Sequence, residues 1–150
     1  IVLNVQGDEP MMEPDVISAV AELMRRDEVM IGTAVVPTKV DHDFIGVHVV
    51  KAVVAQDGRA LYFSRSVIPF VRNQPQSGTV HFRHLGIYGF RRETLNQLVK
   101  LPPSPLEHVE SLEQLRWLEA GYTIHTTQVN SRSSGVDTPE DLLKLSLRTP

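Results

Sequence analysis

Four groups of residues in this chain have types and spacing that could do chemistry. The first is Gln6-Gly7-Asp8-Glu9-Pro10, which follows the apolar run Ile1 to Val5. In open α/β sheets, ligands bind outside the carboxyl ends of strands. Asp8 and Glu9 lie just past such an end. Carboxylate oxygens there suit a hard cation such as Mg²⁺, which takes one or two protein carboxylates and completes its shell with water and phosphate. The same acids also fit an ordinary turn. The second group is Gly135-Val136-Asp137-Thr138-Pro139-Glu140-Asp141. Asp137 either serves the free N–H groups of the helix that follows or, since Thr138 already fits the N-cap, points elsewhere. Asp8 and Asp137 could then clamp one metal ion between them.

The third group lies on Pro105 to Glu119, which reads as one helix. Leu106, Val109, Leu112, Leu115, Trp117 and Leu118 point nearly all round its axis, so the helix is expected to be largely buried. Glu107, Glu110 and Gln114 share a sector of roughly 60°. Polar groups there need partners, either Arg or His from a neighbouring element or a ligand rich in hydroxyls. The fourth group is basic. Arg65 ends the stretch Leu61-Tyr62-Phe63-Ser64, and Arg83 and His84 begin His84-Leu85-Gly86-Ile87-Tyr88-Gly89. An Arg offers a planar fork to a carboxylate or phosphate, although surface charge and a satisfied strand-end histidine fit equally. Gly86 and Gly89 inside a strand mark close backbone approach.

The elements that must position these groups alternate. Strands are expected at 1–5, 29–36, 47–55, 60–64, 84–90 and 122–129, with Asp57-Gly58 turning the third into an antiparallel fourth. Helices are expected from Pro14, at 92–101, at 105–119 and from Thr138. The order implies an α/β architecture, with a mixed sheet because of the hairpin and helices flanking it. The run at 1–5 reads as a buried strand. Residues from about 56 to 90 could contribute a small β subdomain.

Composition bounds the answer. The chain has 150 residues, no cysteine, 41% apolar residues, 22% charged residues and a net charge of −3. This is one domain of ordinary composition. Disulfides and Cys-based metal sites are excluded. Nucleic acid is not expected as main partner, because such domains carry a basic surplus. No apolar run reaches the ~20 residues that cross a bilayer, and nothing resembles a signal peptide, which fits the cytoplasm. There is no phosphate-binding G-x-x-x-x-G-K-[ST] or G-x-G-x-x-G loop and no nucleophile elbow. The chain opens inside an apolar run without Met, which suggests a piece of a larger catalytic unit.

As an ordered set, five motifs resemble the 3-deoxy-manno-octulosonate cytidylyltransferases, or CMP-KDO synthetases. They are Gln6–Pro10, Ala60–Arg65, Arg83–Gly89, Ser104–His108 with Leu112–Arg116, and Gly135–Asp141. The resemblance implies a nucleotidyltransferase fold of the nucleotide-diphospho-sugar transferase type, with a smaller antiparallel subdomain, working as a homodimer. It implies coupling of CTP to the eight-carbon acidic sugar KDO, giving CMP-KDO and pyrophosphate for lipopolysaccharide synthesis. It places Mg²⁺ on Asp8 and Asp137, and sugar contacts on Gln6, Arg65, His84, Tyr88, Glu110 and Gln114, with Glu107 as a further candidate. Arg65 and His84 would clamp the sugar carboxylate. Two departures stand out. The family's triphosphate loop and cytosine-reading segment would lie upstream of Ile1, so this piece alone is expected to be inactive. Where the family has Asn residues before Val-Lys, this chain has Gly46-Val47-His48-Val49, which leaves the contribution of residues 45–48 open. A related acidic sugar (an amino-substituted KDO or a sialic acid) and a non-catalytic remnant are the alternatives.

Overall fold

The computed structural model describes residues 1–73, 81–131, 135, 136, 143 and 146. Six strands form one sheet: β1 (Val2–Val5), β2 (Ile31–Pro37), β3 (Lys51–Val54), β4 (Ala60–Ser64), β5 (Phe82–Phe90) and β6 (Ile124–Gln128). The helices bounded among the described residues are α1 (Pro14–Leu23), α2 (Arg92–Leu98), α3 (Pro105–Glu110) and α4 (Gln114–Glu119). The strand order is β4-β3-β5-β2-β6, and β1 also pairs with β5. Among the described residues only β2 and β6 pair in parallel; the other pairings are antiparallel, so the sheet is mixed as expected.

β5 organises the sheet. On one edge it meets β2. On the other, β1 pairs with its second half (Val5 opposite Ile87) and β3 with its start (Lys51 opposite Arg83). β1 and β3 therefore lie end to end along one edge. Gln6 N–H donates to the Gly86 carbonyl at 2.8 Å and His84 N–H to the Val50 carbonyl at 2.8 Å. The end of β1 faces the start of β3 across this short gap. Because β1, β2 and β3 all oppose β5, they run in one direction, with β6 beside β2.

Alternation along β5 sorts its side chains between two layers. Phe82, Tyr88 and Phe90 join Phe63, Leu98, Leu112, Leu115 and Trp117 in the larger core. Leu85 and Ile87 face the other way, against Val16 and Val20 of α1. Those α1 residues and Leu23 are spaced for one helical face, and Pro14 at the helix start with Asp15 in the first turn suits the free N–H groups there. Gly32 and Gly89 pair directly across β2 and β5 and leave a notch for the fully buried Met24. A Cβ on Gly89 would stand 2.5 Å from Met24 Cγ, and one on Gly32 would stand 2.9 Å from its Sδ. Trp117 meets Tyr88 and Phe90 edge-on, with ring centroids 5.1 and 5.3 Å away, an arrangement that adds about 1 kcal/mol per pair beyond area burial.

Three expectations fail. The single helix over 105–119 is two short helices, broken where Ser111 adopts a left-handed φ of 52°. In one continuous helix Glu107 and Arg116 would stand roughly 13 Å apart along the axis. Here α4 folds back, so Arg116 pairs with Glu107 and Glu119 Oε2 accepts the Leu106 N–H at 3.0 Å. Nor is the first half buried: α3 has no buried residue, and Val109 is 83% exposed. β1 is also not a buried strand. Val2 and Val5 are exposed, because among the described residues β1 is paired along β5 alone. The helix expected from Thr138 lies outside the described residues, apart from 143 and 146.

Candidate functional site

β1, β2 and β6 run in one direction; β6 ends beside Val35 of β2, and β1 ends opposite Ile87, midway along β5. Beyond β1 come Gln6, Asp8 and Glu9, with Asp8 exposed and Glu9 buried. The Asp8 carbonyl accepts the Val136 N–H at 2.8 Å. This bond brings the residue before Asp137 against Asp8, so the two motifs carrying the expected metal carboxylates meet despite their separation in sequence. Asp137 itself lies outside the described residues. Of the two expected carboxylates only Asp8 lies among the described residues, and an exposed carboxylate there is of the type a hard cation such as Mg²⁺ takes. No group of three or more His, Cys, Asp or Glu fit for a metal occurs among the described residues. An open depression of about 440 Å³, lined by Glu13, Val36, Asn130 and Ser131, adjoins the ends of β2 and β6.

Glu9, the second acid of the first motif, is buried and turns back onto β5. Its Oε1 accepts the Gly86 N–H at 3.2 Å, and its charge acts on Arg83. Burial lowers the Arg83 pKa, while the Glu9 and Glu13 charges oppose that shift. Gly86 fulfils the expectation of close approach. A Cβ there would stand 2.6 Å from Gln6 Oε1 and 3.0 Å from Glu9 Cγ. Gln6 thus lies over the same face of β5 as His84 and Tyr88.

His84 is buried in that face. Its Nε2 lies 2.9 Å from Thr33 Oγ1, and the Thr33 hydroxyl donates to the Ile87 carbonyl at 2.7 Å. With that single proton committed, Thr33 must accept from Nε2–H. Nε2 therefore carries a proton, and when the ring is neutral its lone pair lies on Nδ1. Burial, helped by the neighbouring Arg83 charge, pushes its pKa down to about 3. A ring held neutral in this way offers Nδ1 as an acceptor and adds no positive charge beside Arg65 at neutral pH. Thr33 was missed in the sequence. The signal was one hydroxyl in the otherwise apolar run Ile31 to Val36.

Tyr88 packs among His84, Phe90 and Trp117. Its hydroxyl is buried without a hydrogen-bond partner among the described residues, and burial raises its pKa. An orphaned buried hydroxyl costs about 1–3 kcal/mol, which a polar ligand on this face would relieve. Gln114, buried at the start of α4 beside Leu115 and Trp117, covers the same face.

The second half of the site stands at the end of β4. Ser64, Lys51 and Arg83 are register partners across β4, β3 and β5, so Arg65 stands roughly 10 Å, two strand spacings, from β5. Glu110 ties this end to α3: Oε1 accepts the Ser64 hydroxyl at 2.6 Å and Oε2 accepts the Arg65 N–H at 3.0 Å. The Arg65 guanidinium donates to the carbonyls of Glu110 (2.8 Å), Val47 (2.9 Å) and Ser111 (3.3 Å). The segment that departs from the family pattern thus contributes a backbone carbonyl, which any residue type supplies.

Glu107 does not join this group. One of its oxygens accepts the Ser104 N–H at 3.1 Å in a capping box, and both accept from Arg116. The Arg116 bonds, with a smaller contribution from Ser104, hold its pKa below the usual carboxylate value. Through these bonds the carboxylate fixes the start of α3 and the fold-back of α4.

A mixed sheet with α1 on one face and α2 and α4 on the other, and polar groups gathered at strand ends, defines an α/β nucleotidyltransferase fold. The solved structure of CMP:2-keto-3-deoxy-manno-octonic acid synthetase complexed with CTP superposes with a TM-score of 0.85 at 39% identity, over 97% of this chain and 59% of that one. The inositol-1-phosphate CTP transferase from T. maritima shares the fold at a TM-score of 0.52 and 16% identity, over 83% and 45% of the two chains. Residues 1–125 match the cytidylyltransferase family, and the chain belongs to it. The 3-deoxy-manno-octulosonate cytidylyltransferase of Myxococcus xanthus is 47% identical over 143 residues, covering 95% of this chain. That of Geobacter sulfurreducens is 42% identical over 155 residues, covering 97%. The chain spans 57% and 62% of the lengths of these two relatives. No helix among the described residues is long and apolar enough to cross a membrane.

Proposed function

We propose that the protein transfers CMP from CTP to KDO, releasing pyrophosphate. The observation that carries this reading is the position of Arg65, locked at the end of β4 and roughly 10 Å from the polar face of β5. Such a span suits an elongated sugar acid, with its carboxylate at Arg65 and its hydroxyls over Gln6, His84 Nδ1, Tyr88 and Gln114. The names of the relatives at 42–47% identity, and of the CTP-complexed neighbour, support the choice of substrates.

In this reading the anomeric hydroxyl of KDO attacks the α-phosphorus of CTP, and the α–β phosphoanhydride bond breaks. Asp8 and Asp137 would hold Mg²⁺, which would supply charge neutralisation at the phosphate oxygens. Arg65 neutralises the sugar carboxylate through a planar fork. Gln6, His84 and Gln114 orient the sugar by its hydroxyls. Glu110 acts on Arg65 and does not itself touch the sugar. Positioning and charge neutralisation carry the catalysis, so no nucleophilic side chain is required.

Pyrophosphate release from CTP and KDO by the intact protein tests this reading. Arg65→Gln should raise the KM for KDO about 10–100-fold with little change in the KM for CTP. Asp8→Asn should lower kcat by about 100-fold or more. Wild-type kinetics in both variants would overturn the assignment.

A further inference from the structure

The mechanism above leaves one fully buried charge unused. Lys51 opens β3 and has no solvent exposure. Its Nζ donates to the carbonyls of Gly46 (2.7 Å), Val49 (2.8 Å) and Arg65 (2.6 Å), over the Phe44 ring at 5.6 Å. An ammonium has three N–H donors, and here a backbone carbonyl takes each one. That saturation is what makes a buried lysine tolerable. Burial first, and then the Arg65 charge, lowers its pKa, while the Glu110 charge opposes the shift.

The three carbonyls belong to two segments, the 46–49 loop and the end of β4. Lys51 holds them together, and Arg65 needs both. The peptide groups of Arg65 are gripped from two sides: its N–H by the Glu110 carboxylate and its carbonyl by the Lys51 ammonium. Its guanidinium then reaches Val47, in the middle of the loop that Lys51 pins through Gly46 and Val49. Three of the five guanidinium N–H groups go to carbonyls, so two remain without a partner among the described residues. Removing the ammonium would free the Arg65 carbonyl and release the loop that supplies a guanidinium acceptor.

We propose that Lys51 is a positioning residue that sets the Arg65 guanidinium for the carboxylate of the sugar. This rests on Arg65 recognising that carboxylate, as proposed above. Lys51 acts through Arg65 and does not touch the substrate. A residue that only stabilised the fold would change kcat or stability without changing which sugar is preferred. The readout is therefore the ratio of kcat/KM for KDO to that for its carboxamide, measured in the intact protein.

Arg65→Gln, Lys51→Met and Lys51→Gln are compared with wild type, with thermal unfolding confirming the fold of each. Lys51→Gln is included because Met leaves three buried carbonyls unpaired, whereas the amide keeps a donor. Loss of a charge-assisted bond should lower the ratio about tenfold or more in Lys51→Met, and by a smaller factor in Lys51→Gln, with the KM for CTP within about twofold. If Lys51→Met does not fold, a reduced ratio in Lys51→Gln carries the proposal. A wild-type ratio in the folded Lys51 variants, beside a reduced ratio in Arg65→Gln, overturns the role of Lys51 alone. A wild-type ratio in Arg65→Gln overturns the carboxylate reading at Arg65, and the Lys51 proposal with it.

Discussion

Acidification should destabilise the protein well above the pH at which carboxylates protonate, and His84 should be a principal cause. In the folded protein the His84 imidazole stays neutral down to about pH 3. In the unfolded chain it binds a proton near pH 6.5. Between these values the unfolded state holds the extra proton, so stability falls as pH falls, at up to about 1.4 kcal/mol per pH unit. Integrated from pH 7 to pH 5, the loss from His84 alone is about 2 kcal/mol. His125, whose pKa is lowered by burial, shifts stability in the same direction, so a single titration would mix the two. His84→Gln separates them, because its amide can still donate to Thr33 Oγ1 while it does not titrate. Urea unfolding of both proteins at pH 7, 6 and 5 gives the difference. The wild type should lose about 2 kcal/mol more than His84→Gln across that range. Equal losses would refute the neutral, Nε2-protonated assignment and reopen His84 as a cation for the substrate.

Three further outcomes follow from the geometry. Glu107→Gln should cost about 1 kcal/mol of stability, through the weakened capping box and Arg116 pair, with kcat/KM within about twofold of wild type; a large loss of sugar affinity would restore Glu107 to the binding site. Gly86→Ala should raise the KM for KDO with little loss in melting temperature, because its Cβ meets the flexible end of Gln6, 2.6 Å away. Gly89→Ala should do the reverse: its Cβ meets the buried Met24, which costs about 1–3 kcal/mol in urea unfolding and leaves the KM for KDO unchanged.

Much of this arrangement is legible in the residues themselves. Alternation, turn residues and the Pro14 helix start mark the strands and α1, because these features act over neighbouring positions. Gly86 and Gly89 announce close approach, and both have it. What local pattern could not carry is the break at Ser111. It depends on Arg116 and Glu119 finding partners on α3, contacts that exist only once α4 has folded back. Treating 105–119 as one helix placed Glu107 beside Glu110 and Gln114, whereas Glu107 serves the fold. The state of His84 was equally hidden, since it rests on Thr33, Phe63 and Tyr88, two of them supplied by other strands. Lys51 and Thr33 belong to the same class, in that their roles arise from carbonyls and hydroxyls supplied by distant segments.

The most direct test of the account is the bond that forms. The intact protein would be given CTP and KDO labelled with ¹³C at the anomeric carbon, in the presence of Mg²⁺. Phosphorus NMR should then show pyrophosphate released in step with a new phosphodiester coupled to that carbon. No such product from active, folded protein, or CMP attached at a different sugar position, would contradict the assignment of this chain to KDO activation.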